Sequence, residues 1–189
     1  MTTEELYEAL NYVDASREKR MKMAGLILTQ PQLFSPLLDI VFTVDDPISS
    51  KACWVLEFTA KEKLSHHFDH LDRFTSQLGQ LHLDSSVRPI AKICELLITS
   101  YFSKKEAHKA LTFKHLERIA TVCFDWLIGN YKVATKAYSM TSLLLLGQKF
   151  DWIHPELKLV LEQNYASGSA GYKARARKTL EKINKTQTN

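Results

Sequence analysis

The densest group of chemically versatile side chains is Ser65-His66-His67-Phe68-Asp69-His70-Leu71-Asp72. His66 and His70 stand four apart, a spacing at which two imidazoles on one helical face can hold a divalent transition metal. A catalytic zinc site needs a third protein ligand and an acid directly after the first histidine. Here His67 follows His66, and Asp69 lies on a different side of a helix. With Leu64, Phe68, Leu71, Thr75 and Leu78 as the buried stripe, His66 and His70 fall on the solvated face, so we expect surface imidazoles, no metal and no cofactor. The chain has no Gly-x-Ser-x-Gly nucleophile, no Gly-rich phosphate loop and no Cys-x-x-Cys pair. Cys53, Cys94 and Cys123 are far apart and each sits in an apolar stretch, as expected of free thiols in a reducing compartment.

Positive charge is the second resource. The net charge is +4, but positions 172–189 hold six basic residues (Lys173, Arg175, Arg177, Lys178, Lys182, Lys185) against Glu181 alone. The first 171 positions are left with 19 basic and 20 acidic residues, so the excess belongs to the C-terminal segment. Charge of this kind argues against a nucleic-acid binder that uses its whole surface. It suits a polar terminal helix whose basic end complements the helix dipole.

The elements that position these residues are helical throughout. Apolar residues recur with the helical period almost everywhere, and strand alternation is nearly absent. Pro31, Pro47 and Pro155 stand where helices open, and Gly79, Gly129, Gly147 and Gly168 stand near their ends; Pro89 lies unusually close inside a helix start. The pattern predicts helices over 3–12, 15–29, 31–43, 48–63, 66–79, 85–101, 113–128, 131–147, 154–164 and 170–184, with a short extra turn within 103–112. The connections are short enough to set neighbours antiparallel. We therefore expect an all-α single domain over 1–189, with a capping hairpin at 1–30, stacked hairpins over 31–184 and a flexible tail at 185–189. The N-terminus has no signal-peptide pattern, and wholly apolar runs such as 143–146 are far too short for a bilayer. A cytoplasmic protein without membrane attachment is the expectation.

A weak internal repeat links the second helix of each pair. An apolar or aromatic anchor is followed at +3 by a basic residue, at +4 by alanine and at +7 by a core residue: Ile48/Lys51/Ala52/Val55, Val87/Ile90/Ala91/Cys94, Val133/Lys136/Ala137/Met140 and Tyr172/Arg175/Ala176/Thr179. Ile90 breaks the basic position. Anchor, +4 and +7 share one stripe, and alanine at its centre lets a neighbouring helix approach closely. The spacing and pattern resemble HEAT repeats, the α-solenoid units of about 40 to 47 residues.

That resemblance implies a short α-solenoid of about five hairpins, with second helices lining a concave surface. Lys51, Lys136 and Arg175, joined by Arg88, Lys92 and Lys132, are then candidate binding residues for phosphates or an acidic partner. A structural alternative pairs the repeat cations with Asp45, Asp46 and Asp84, which precede second helices. HEAT-like glycosylases that excise alkylated bases place an aspartate and tryptophans over a basic concave surface, which makes Asp125, beside Trp126, the alternative catalytic acid. Trp126 continues the stripe Ile119, Val122 and is expected in the core. Lyases of the fumarase and adenylosuccinate type carry a loop like Ser-Ser-x-Met-Pro-x-Lys-x-Asn-Pro; Tyr138-Ser139-Met140-Thr141 lacks its proline, lysine and asparagine. The expected function is a non-catalytic scaffold or adaptor that presents a curved surface to a macromolecule, first a protein, with nucleic acid the alternative.

Overall fold

Helices begin where the sequence supplies a cap. Thr2 Oγ1 accepts the Glu5 N–H at 3.2 Å while the Glu5 carboxylate accepts the Thr2 N–H at 2.8 Å, a reciprocal pair that fixes the first helix. Ser16, Asp46 and Thr112 accept first-turn N–H groups in the same way. In the computed structural model, which describes residues 1–44 and 46–186, the α-helices are α1 (Thr3–Leu10), α2 (Arg17–Thr29), α3 (Phe34–Val41), α4 (Pro47–Glu62), α5 (Leu71–Gln77), α6 (Asp84–Phe102), α7 (Ala107–Ala110), α8 (Phe113–Ile128), α9 (Val133–Leu146), α10 (Ile153–Tyr165) and α11 (Ala170–Thr186). The described residues contain no strand. No helix among them is long and apolar enough to cross a membrane. Of the expected 185–189 tail, positions 187–189 lie outside the described residues.

Packing follows a simple order. α2 contacts α4, α4 contacts α6, α6 contacts α9 and α9 contacts α11, which makes one continuous row. The other long helices pack onto that row: α3 against α4, α8 against α9, and α10 against α9 and α11. The buried apolar side chains form one cluster whose members include Leu6 on α1 and Ile183 on α11. Small residues allow the close crossings. Ser50 Oγ lies 2.8 Å from both Ser85 Oγ and Ser86 Oγ where α4 meets α6. Ala52, Ala91 and Ala176 are fully buried, as the repeat predicts.

Two registers differ from expectation. The predicted helix 66–79 divides into a 3-10 segment (Leu64–His70), α5 and a second 3-10 turn (Leu78–Gln80). At three residues per turn Leu64, His67 and His70 align, so His67 enters the core while Phe68 is only partly buried. In α9 the anchor Val133 is 42% exposed and Ala137 is half-buried, although Met140 is buried as expected; Thr135, Ser139 and Ser142 are buried with Met140, Leu143 and Leu146. Ser139 and Ser142 bury their hydroxyls by donating to the Thr135 and Tyr138 carbonyls one turn back, and both face the Cys123 thiol.

Candidate functional site

The six basic candidates do not form one uniform row. Lys51 Nζ donates to the Asn11 carbonyl at 2.9 Å, which ties α4 to the end of α1. Arg88 meets Glu57 at 3.0 Å, and Lys92 meets Glu95 at 2.5 Å. Lys132 is exposed, and its backbone N–H donates to Asp84 Oδ1 at 3.2 Å. Lys136 and Arg175 make no ion pair or side-chain hydrogen bond among the described residues. Asp46 is spent on the Ile48 N–H at 2.7 Å and the Tyr7 hydroxyl at 2.8 Å, so neither Asp46 nor Asp84 pairs with a repeat cation. Asp45, the other proposed partner, lies outside the described residues.

The contacts between the helices of the row are instead organised by a buried carboxylate and two aromatic rings. Glu57 on α4 is 1% exposed and is held between Lys61 at 2.6 Å and Arg88 at 3.0 Å. A charge this deep requires both partners and their hydrogen bonds. One turn back along α4, Trp54 is half-buried; the Arg20 guanidinium lies 4.5 Å from its ring centroid, and its indole N–H donates to the Ser85 carbonyl at 2.8 Å. Burial, with the facing Arg88, lowers the Arg20 pKa. Lys92 repeats the theme, its ammonium 4.9 Å from the Tyr138 ring of α9. Cation–aromatic pairs thus join α2 to α4 and α6 to α9, while the Trp54–Ser85 hydrogen bond and the Glu57–Arg88 pair join α4 to α6. Pro89, which no motif accounts for, belongs to this arrangement. Lacking an N–H, it leaves the Ser85 carbonyl one turn back free to accept from Trp54.

Toward the C-terminus the positive charge is gathered in another way. Arg175, Lys178, Lys182 and Lys185 line one shallow cavity of about 230 Å³ with Thr141 and Leu144 of α9, beside Glu181. Lys136 is half-buried in a second cavity of about 330 Å³ between the start of α9 and the α10–α11 connection, and burial lowers its pKa.

The remaining candidates are dispersed. Asp125 is exposed on α8, in a shallow cleft shared with Thr75, Arg118 and Thr121 that none of Lys51, Lys136 and Arg175 lines. Trp126 is 1% exposed and belongs to the core. His66 is half-buried, and His70 stacks on Phe34 with ring centroids 4.8 Å apart rather than lying free in solvent. The buried imidazole is His67, edge-on to Phe34 and Phe74. Among the described residues no group of three or more His, Cys, Asp or Glu side chains is arranged to hold a metal ion.

One other histidine has a carboxylate neighbour. His115 Nδ1 accepts the Thr112 N–H at 3.2 Å, which puts the ring proton on Nε2, 3.1 Å from Asp72 Oδ1 but off the line of a good hydrogen bond. With Nδ1 occupied by a helix cap, the ring has no free basic nitrogen with which to take a substrate proton. The three cysteines are fully buried, and burial raises the thiol pKa of each, Cys53 and Cys123 to about 12. None is a ready nucleophile at neutral pH. Sequence reasoning missed the pairings of Arg20, Trp54, Glu57 and Tyr138, because apart from Lys61 their partners lie on other helices. Neither a family model, nor a curated protein, nor a solved structure matches this chain.

Proposed function

We propose that the chain is a non-catalytic, HEAT-like helical-repeat adaptor that presents the open face of α2, α4, α6 and α9 to a protein partner. The observation that carries this reading is the cation–aromatic series Arg20–Trp54 and Lys92–Tyr138 across that face. Tryptophan, tyrosine and arginine held half-buried before binding are the residue types that dominate protein–protein hot spots, and pre-positioning them reduces the ordering cost of association. The face also carries its own anions. Glu57 and Glu95 offset Arg88 and Lys92, so a polyphosphate would meet a mixed surface rather than a uniform positive one. The order of helix contacts supports stacked hairpins, a construction that leaves one long face open.

The test is affinity capture with cross-linking, comparing the native chain, the double variant Arg20→Glu/Lys92→Glu and the control Lys114→Glu on α8. A partner that cross-links near Trp54 and Tyr138, and is lost only with the double variant, supports the adaptor. Cross-links that cluster on α8 and α10, or a partner indifferent to the double variant, refute it. A second reading, nucleic-acid binding, draws on the grouping of Arg175, Lys178, Lys182 and Lys185 in one cavity. It requires affinity for DNA or RNA that falls steeply with salt. Absence of binding at low ionic strength removes it.

A further inference from the structure

We propose that the groove between α9 and α11 is a docking site for an acidic segment of another protein. Arg175, Lys178, Lys182 and Lys185 line it along α11, and Thr141 and Leu144 line it from α9. The four cations follow one another at intervals of three, four and three residues, which sets them in one stripe about 15 Å long at the helical rise of about 1.5 Å per residue. All four are exposed. Their stripe runs beside the buried one formed by Tyr172, Ala176, Thr179 and Ile183, so packing of α11 against α9 holds the cations at the edge of the seam. Helix α10 also packs on α9 and α11, yet none of its residues lines the groove. This side of the seam is left as a cavity of about 230 Å³.

The stripe works against the helix that carries it. Arg175 and Lys178, Lys178 and Lys182, and Lys182 and Lys185 are like charges three or four residues apart, where neighbours on a helix repel. The helix dipole favours a cation in the last turn, where Lys185 stands, but its effect does not extend back to Arg175 and Lys178. Cations gathered at this cost create a local positive potential that steers and holds an anionic partner.

Two features favour a peptide over a nucleic acid. Leu144, partly buried in the groove wall, offers aliphatic surface on which an apolar side chain can pack, and Thr141 adds a methyl group. Glu181 sets a carboxylate among the cations. A polynucleotide, with a phosphate at every step, meets that carboxylate unfavourably, whereas an acidic peptide can place a polar or basic side chain opposite it. None of Arg20, Trp54, Lys92 and Tyr138 lines the groove, so it is a second contact surface whose test is separate from that of the adaptor reading.

The experiment is fluorescence anisotropy of the full chain at low ionic strength with three labelled probes of equal net charge: a Glu-Glu-Leu repeat peptide, oligoglutamate and single-stranded oligothymidylate. The leucine-containing peptide is expected to bind about fivefold or more tightly than either of the others, as burial of its apolar side chains implies. Arg175→Glu/Lys178→Glu should weaken that binding by about tenfold, the effect of reversing two exposed charge contacts. Lys173→Glu/Arg177→Glu lowers the net charge equally at positions that do not line the groove, and should change the affinity by about twofold at most. Glu181→Gln should tighten binding by about twofold. Circular dichroism and thermal melts that superpose on those of the native chain show that each variant folds. Tighter binding of oligothymidylate identifies nucleic acid as the occupant and overturns the proposal. Equal losses in the two double variants, weaker binding in Glu181→Gln, or no binding of the Glu-Glu-Leu peptide overturns it as well.

Discussion

Between pH 8 and pH 5 the protein should lose about 2 kcal/mol of folding stability through His67 alone. His67 is 1% exposed, lies edge-on to Phe34 and Phe74, and has neither ring nitrogen in a normal hydrogen bond. Burial is the main reason its pKa falls to about 3; the Leu64 carbonyl opposes it, the His66 and His70 charges reinforce it, and the Leu56 carbonyl opposes least. Unfolded, the imidazole takes up its proton near pH 6.5. Between those two values the unfolded chain binds the proton and the folded chain does not. Stability therefore falls as pH drops through 6.5 and continues to fall toward 3, by about 5 kcal/mol in full at about 1.4 kcal/mol per pH unit.

Urea unfolding at pH 8, 7, 6 and 5 measures this term, with His67→Leu as the reference protein. Leucine is close in volume and removes two orphan nitrogens, so at pH 8 the variant should lie within about 1.5 kcal/mol of the native chain. By pH 5 the native chain should have lost about 2 kcal/mol more than the variant. His70 is the nearest confounder. Its pKa is also lowered by burial, but it is half-exposed and stacked on Phe34, so His70→Gln should remove only a smaller part of the slope. Identical losses in the native chain and His67→Leu would refute the argument.

Three further perturbations probe the packing. Gly147→Ala would place a β-carbon 2.0 Å from His154 Cδ2, and that ring is anchored by Nε2 to the Leu144 carbonyl at 2.9 Å, so a cost of about 1 to 3 kcal/mol is expected in a thermal melt. An unchanged Tm contradicts the contact, and His154→Ala should relieve the cost. Glu57→Gln leaves Lys61 and Arg88 without their shared anion; because both cations reach water, the expected cost is about 1 to 3 kcal/mol, and an unmoved urea midpoint contradicts it. Ser139→Leu should overpack the α8–α9 contact at Cys123 by about 1 to 3 kcal/mol while half-buried Ala137 tolerates leucine better; equal costs would reverse the α9 register described above.

The helical class is legible because period, caps and breakers agree. Thr2, Ser16, Asp46 and Thr112 mark helix starts that the apolar spacing also demands, and Pro47 sits in the first turn of α4. The register of α9 is not legible, because Ser139 and Ser142 hide their hydroxyls against the turn below, and Thr135 is buried with no hydrogen-bond partner for its own. Thr135, Ser139 and Ser142 share the buried side with Met140, Leu143 and Leu146 while Val133 faces water, which hydropathy alone does not foretell. His67 escapes notice for a related reason. A seven-residue segment that winds at three residues per turn turns a different set of side chains inward than an α-helix, and nothing in its composition announces the tighter winding.

The site is harder to read than the fold because its partners are remote in sequence. Lys51 bonds Asn11, forty positions away, and Arg88 bonds Glu57, thirty-one away. A repeat cation preceded by nearby aspartates suggests a local ladder, yet Asp46 is more strongly placed as the cap of its own helix, where two acceptor atoms satisfy Ile48 and Tyr7 at once.

Pro89 shows how a local rule can fail for a reason that lies elsewhere. Proline inside a helix removes one hydrogen bond and strands a carbonyl, a cost that counts against its position as long as α6 is considered alone. Once α4 is placed beside it, the stranded Ser85 carbonyl becomes the acceptor for Trp54, which also carries Arg20 from α2 on its face. The defect of one helix is thus the attachment point of the next two. It fixes the tryptophan at the centre of the face proposed for a protein partner, so the same residue joins the packing of the row to the surface that the row presents.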